Sequence, residues 1–171
     1  IEHFKGHPTI QVSLVLSNNS SAPVLAKAAS AGVETLTFNR ATFYQTNKIA
    51  NELKSRQIDL IVLAGFMWLV PENIVKTYSD KIINIHPALL PKYGGKGMYG
   101  MHVHNAVKEA NEKETGITIH LVNEEYDKGR ILAQVKCTIE KKDTPETIAE
   151  KIHALEYANF PTEIERYLLN K

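Results

Sequence analysis

Cysteine is nearly absent from this chain of 171 residues: Cys137 stands alone, so no internal disulfide can form, and a reducing compartment is the expectation. Cys137 lies in the run Ile131 to Ile139, apolar at alternating positions, where a buried structural thiol is expected rather than a nucleophile. Long hydrophobic runs are also lacking. The longest, Leu60 to Val70, falls far short of the roughly 20 residues that cross a bilayer as a helix. The first residues carry Glu2, His3, Lys5 and His7, unlike a secretory leader, so cytoplasmic residence is expected. Neither charge sign dominates, with 20 Lys and Arg against 19 Asp and Glu and no like-charged tract, so there is no electrostatic footprint for nucleic acid or anionic lipid. Small molecules are therefore the expected partners, with no nucleic acid and no membrane. Monomer and homodimer both stay open.

What is present is ordinary for a packed globular protein: 43% hydrophobic and 23% charged residues. The length fits one domain, and no internal repeat, linker or low-complexity tract divides it. Strand and helix patterns alternate. Ile10 to Leu16 reads as a strand, Pro23 to Ala31 as a helix stopped by Gly32, and Val33 to Phe38 as a second strand. Thr42 to Arg56 reads as one helix, Asp59 to Ala64 as a buried strand, Pro71 to Tyr78 as a short helix, and Lys81 to Ile85 as a strand ended by Pro87. Helix is expected over Met101 to Glu114 and strand over Ile117 to Val122 and Ile131 to Ile139. Two last helices follow, Pro145 to Tyr157 capped by Thr144 and Pro161 to Leu169. This order predicts an α/β fold with an open, mainly parallel twisted sheet and helices on both faces.

Residues two apart in a strand face the same way, so Asn84 and His86 project together near the carboxyl end of their strand. An Asn amide is a neutral donor and His can donate or carry a proton near pH 7, a pair suited to holding the oxygen of a carbonyl under attack. The same spacing also fits two polar residues that merely tie down a turn. Pro91 to Gly100 is dense in glycine beside aromatics, the composition of a loop whose backbone approaches something closely. Asp127, in Tyr126-Asp127-Lys128-Gly129, has the context of a turn carboxylate. His102 and His104 invite a metal reading, but i,i+2 positions of a helix do not share a face and no carboxylate completes the set, so no metal is expected. Met67, Trp68 and Leu69 follow Gly65, which permits backbone exposure at a strand end where a flat heteroaromatic ligand could lie.

Taken together, Ala64-Gly65-Phe66-Met67, Asn84 to Tyr93, Gly116-Ile117-Thr118-Ile119-His120 and Tyr126-Asp127-Lys128-Gly129 resemble the folate-dependent formyltransferase family. The stretch Gly95 to His104 is similar to the branch acting on glycinamide ribonucleotide. The resemblance implies a Rossmann-like fold and transfer of a formyl group from 10-formyltetrahydrofolate to the amine of that ribonucleotide, in de novo purine synthesis and without metal. It implies Asn84, His86 and Asp127 as the catalytic group: Asn84 and protonated His86 would stabilise the developing oxyanion, while Asp127 would raise the pKa of His86 and help move the proton from the attacking amine. Met67, Trp68, Leu69 and Val70, with Asn84 and Asp127, would hold the folate; Glu156, Thr118 and His120 would contact the ribonucleotide. Family members open with a strand and a Gly-Ser-Gly-type phosphate loop that this sequence lacks, so the native chain is expected to carry roughly 20 more N-terminal residues, about a strand, loop and helix start. The alternatives are a formyl-folate hydrolase and an inactive folate- or nucleotide-binding module.

Overall fold

The computed structural model describes residues 1–170. The chain forms two compact units, Ile1–Ile58 and the remainder from Asp59. In the first, a short 3-10 turn at Glu2–Phe4 precedes β1 (Leu14–Ser17), α1 (Pro23–Ser30), β2 (Glu34–Thr37), α2 (Arg40–Gln45) and α3 (Lys48–Ser55). β1 and β2 pair in parallel. Pro23 opens α1 in its first turn, where the missing N–H costs nothing. The single helix expected over Thr42 to Arg56 is two. Thr46 turns extended, its hydroxyl donating to the Thr42 carbonyl at 2.8 Å and accepting from the Lys48 amide at 3.2 Å, so one side chain ends a helix and steadies the next turn.

The second unit contains β3 (Ile61–Leu63), α4 (Glu72–Thr77), β4 (Ile82–His86), α5 (Met101–Glu109), β5 (Glu114–Leu121), β6 (Ile131–Thr138) and α6 (Pro145–Leu169). Its sheet runs in the order β3-β4-β5-β6. β3 and β4 are parallel, but β4–β5 and β5–β6 are antiparallel. The α/β class holds, while "mainly parallel" is corrected to mixed: the nine-residue connection from β5 to β6 is short enough only for a hairpin-like return, whereas a parallel crossover needs a dozen residues or more. β5 is central, and Thr115 through Leu121 are all buried. Ile82, Ile83, Ile117, Ile119, Ile148 and Ile152 are essentially inaccessible, each contributing about 1.5–3 kcal/mol by burial.

The two expected C-terminal helices are one, with Pro161 inside it. A helical proline leaves the carbonyl four residues back without its partner. That residue is Tyr157, whose side chain is 82% exposed, so the turn lies where water can take up the freed carbonyl. At the start of α6, the Thr144 hydroxyl accepts from the Thr147 amide, the cap expected there, and the Thr147 hydroxyl accepts from the Thr144 amide, completing a capping box. No helix among the described residues is long and apolar enough to cross a membrane.

Candidate active site

β4 and β5 lay a block of polar side chains on one face of the sheet. In their register Asn84 faces His120 and His86 faces Thr118, and residues two apart share a face. The register of β5 against β6 slips at Ile119/His120, a local irregularity of the kind that re-aims a side chain beside a site. His86, Thr118 and His120 are all at most 3% exposed, so each polar atom there needs a partner.

Hydrogen bonds fix the roles of both imidazoles. His86 Nε2 lies 2.7 Å from the Tyr93 carbonyl, which can only accept, so Nε2 carries a hydrogen. Nδ1 is then the nitrogen that exchanges a proton, and it faces Asp127 Oδ2 at 3.5 Å. His120 Nδ1 donates to the Leu121 carbonyl at 2.8 Å, and its Nε2 receives the Asn84 amide at 3.1 Å. His120 therefore orients Asn84 from behind. It also lies 3.6 Å from Asp127 Oδ1, so Asp127 sits between the two rings.

Asp127 reaches this position from the loop joining β5 to β6, with its backbone left-handed at φ 56°. Its Oδ2 accepts from the Gly95 amide at 2.8 Å. Two glycines make the approach possible. A Cβ on Gly94 would meet Leu90 Cδ2 at 2.4 Å and Asp127 Cβ at 3.3 Å, so the glycine-rich loop does approach something closely: the carboxylate. A Cβ on Gly129 would lie 1.7 Å from the Leu121 carbonyl oxygen.

Burial outweighs the expected upward pull of the Asp127 charge on the pKa of His86. Burial lowers the pKa of His86 below its ordinary 6.5; Asp127 and the Tyr93 carbonyl pull upward, and the net direction is down. This direction favours the neutral ring over the protonated one the resemblance implies. Burial opposes the charge on Asp127, but the two imidazoles beside it and the hydrogen bond from the Gly95 amide hold its carboxyl below the usual value.

The four-residue segment Met67 to Val70 follows β3 after Ala64-Gly65-Phe66, and β3 ends at Leu63, the register partner of Asn84. Val70 is buried, Trp68 and Leu69 are partly buried, and Met67 is 55% exposed, an apolar side chain left facing outward. Glu156 is half-buried rather than a plain surface charge, and burial raises its pKa. Thr118, expected at the ribonucleotide, is 0% exposed and its hydroxyl is committed to Ala88, Leu90 and Gln134. His120 likewise has both nitrogens engaged. Cys137 is half-buried and its thiol is pushed up by burial, which keeps it unreactive. Among the described residues no cluster of three His, Cys, Asp or Glu is arranged to hold a metal ion.

A family model described as "Formyl transferase" matches residues 2–164. The chain belongs to the formyl transferase family. It is similar to the chloroplastic phosphoribosylglycinamide formyltransferase of Arabidopsis thaliana, 40% identical over 82% of this chain and 50% of that protein. To the Bacillus subtilis phosphoribosylglycinamide formyltransferase it is 36% identical, over 91% of this chain and 80% of that one. The crystal structure of the Bacillus halodurans phosphoribosylglycinamide formyltransferase superposes with a TM-score of 0.85 at 33% identity, covering 96% of this chain and 84% of that one. The chain spans about half the length of the plant relatives it matches. A formyltetrahydrofolate deformylase from Pseudomonas syringae, at 20% identity and a TM-score of 0.81, shares the fold alone.

Two buried histidines of this formyl transferase family member also give it a pH-sensitive stability. His86 and His104 both have pKa values lowered by burial, and the Nδ1 of His104 is buried without a hydrogen-bond partner. Because both folded values lie below the ordinary 6.5, the unfolded chain takes up protons first as the medium acidifies. Their contribution is complete above about pH 6.5 and is lost as pH falls below it. Thermal melting should therefore show Tm falling between pH 7.5 and 5.5, with a smaller fall in His104→Leu. An equal or larger fall in the variant would show that His104 contributes nothing.

Proposed function

We propose that this chain transfers the formyl group of 10-formyltetrahydrofolate to the amine of glycinamide ribonucleotide, a step of purine synthesis. The observation that carries the reading is the meeting of Asn84, His86 and Asp127 in one buried polar block, with Nδ1 of His86 turned toward the carboxylate at 3.5 Å. The names of the relatives supply the acceptor.

The folate co-substrate supplies the formyl group and fits the exposed apolar Met67 beside Trp68, on the segment that follows β3, whose last residue Leu63 pairs with Asn84. In the transfer, a bond from the amine nitrogen to the formyl carbon forms, the bond from that carbon to N10 breaks, and the amine proton passes to N10. Neutral His86 receives that proton on Nδ1, and Asp127 stabilises the imidazolium while it exists. The Asn84 amide, held by His120, donates to the oxygen as negative charge develops there. Glu156 is assigned to the ribonucleotide. The domain is read as one formyltransferase domain, and a chain with one cysteine fits residence in the cytoplasm.

The same group could admit water and hydrolyse the folate, so the discriminating experiment is product analysis with and without the ribonucleotide. Formylated ribonucleotide is expected in its presence, with little formate in its absence. Formate produced at the same rate in both would establish hydrolysis instead.

A further inference from the structure

Gln134 has no place in the reaction just described, yet it closes a network on the same face of the sheet. In register, His86 of β4 faces Thr118 of β5, and Thr118 faces Gln134 of β6, so the three form one row across the sheet. The Thr118 hydroxyl donates to the Ala88 carbonyl at 2.6 Å and accepts from the Leu90 amide at 3.0 Å and the Gln134 amide at 2.9 Å. One hydrogen and two lone pairs are thereby all used, so the direction of each bond is set. Gln134 Nε2 also donates to the Leu90 carbonyl at 3.0 Å. Turning the amide over would bring its oxygen against that carbonyl, so its orientation is set too.

The segment held in this way leaves β4 directly after His86. Ala88 and Leu90 are pinned back onto β5 and β6, and three residues beyond Leu90 stands Tyr93, whose carbonyl receives His86 Nε2. We infer that Gln134 is a positioning residue: through Thr118 and Leu90 it fixes the turn that delivers the Tyr93 carbonyl, and so keeps the hydrogen of neutral His86 on Nε2 with Nδ1 free toward Asp127. Without the clasp the carbonyl is no longer held to the ring, and the Nδ1–H form, which cannot accept a proton at Nδ1, becomes populated.

The kinetic part of this inference rests on the formyl-transfer reading; its spectroscopic part does not. Imidazole ¹⁵N spectra of the full chain above pH 7.5 should show His86 as the Nε2–H form in wild type. In Gln134→Met, which keeps length and removes the donor, the spectrum should move toward the Nδ1–H form. Formyl transfer by that variant should lose about 10-fold or more in kcat, with KM for both substrates changed less than about 3-fold, the pattern of a displaced rather than a deleted catalytic group. Lys136→Ala, on the same strand but in a surface ion pair with Glu114, should match wild type in both readouts. If Gln134→Met does not fold, Thr118→Val against Thr118→Ser reads the same link: the serine variant keeps the Nε2–H form and the valine variant loses it. An unaltered His86 spectrum in the folded Gln134 variant, or an Nδ1–H ring in wild type, overturns the inference. Absence of formyl transfer in wild type together with the expected spectra would remove the functional reading and leave the positioning role standing.

Discussion

His86→Ala and Asp127→Ala each lower kcat/KM for formyl transfer by at least about 100-fold, the usual scale for a positioned proton-transfer or oxyanion group. The size follows from the lack of a substitute. Nδ1 of His86 is the one nitrogen of that ring free to take a proton, because Nε2 is committed to the Tyr93 carbonyl. Asp127 in turn is held by the Gly95 amide between two imidazoles, so its removal deprives the transient imidazolium of its counter-charge. Since the two act as a unit, the double variant should be little worse than either single one. Steady-state rates of the three variants, with circular dichroism to confirm folding, decide this; near wild-type rates in either single variant would remove that residue from the mechanism.

Gly129→Ala should cost about 1–3 kcal/mol of stability or more and also abolish most activity in whatever remains folded. The added Cβ falls 1.7 Å from the Leu121 carbonyl oxygen and 2.7 Å from its carbon, both backbone atoms that cannot swing aside. Leu121 is tied to the far side of the loop, its amide donating to the Arg130 carbonyl at 2.8 Å, so relieving the clash means opening the base of the loop that carries Asp127. Denaturant titration reads the first effect and kcat the second. A midpoint and rate equal to wild type would mean the loop has room that this geometry denies it.

The candidate site was legible where local rules act. Asn84 and His86 declare themselves through the period of a strand, and Pro87 marks its end. Pro91 to Gly100 announced a close backbone approach, which the carboxylate of Asp127 meets at Gly94 and Gly95. Thr144 and Pro145 announced the start of α6. What escaped depends on partners distant in sequence. Antiparallel pairing of β4 with β5 is decided by a connection that leaves the strand pattern unchanged, so a mixed sheet reads as a parallel one. The break at Thr46 turns on a hydroxyl bonding its own backbone in preference to continuing the helix. Pro161 looked like a helix boundary because proline penalises a helix locally, whereas the exposure of that turn decides the outcome. The parts played by Thr118, His120 and Gln134 follow from register, which brings residues 16 to 36 positions apart side by side. For His86 the sequence exposed the charge that raises its pKa but not the burial that outweighs it.

The pH dependence of kcat in wild type and Asp127→Asn bears most directly on the claim that a buried, neutral His86 accepts the proton under the influence of Asp127. Wild-type kcat should rise with pH through an apparent pKa below 6.5, and the residual rate of Asp127→Asn should rise through a still lower one, because the charge that favours the imidazolium is gone. A wild-type rate that falls as pH rises through this range, or a limb that the variant leaves in place, would contradict it.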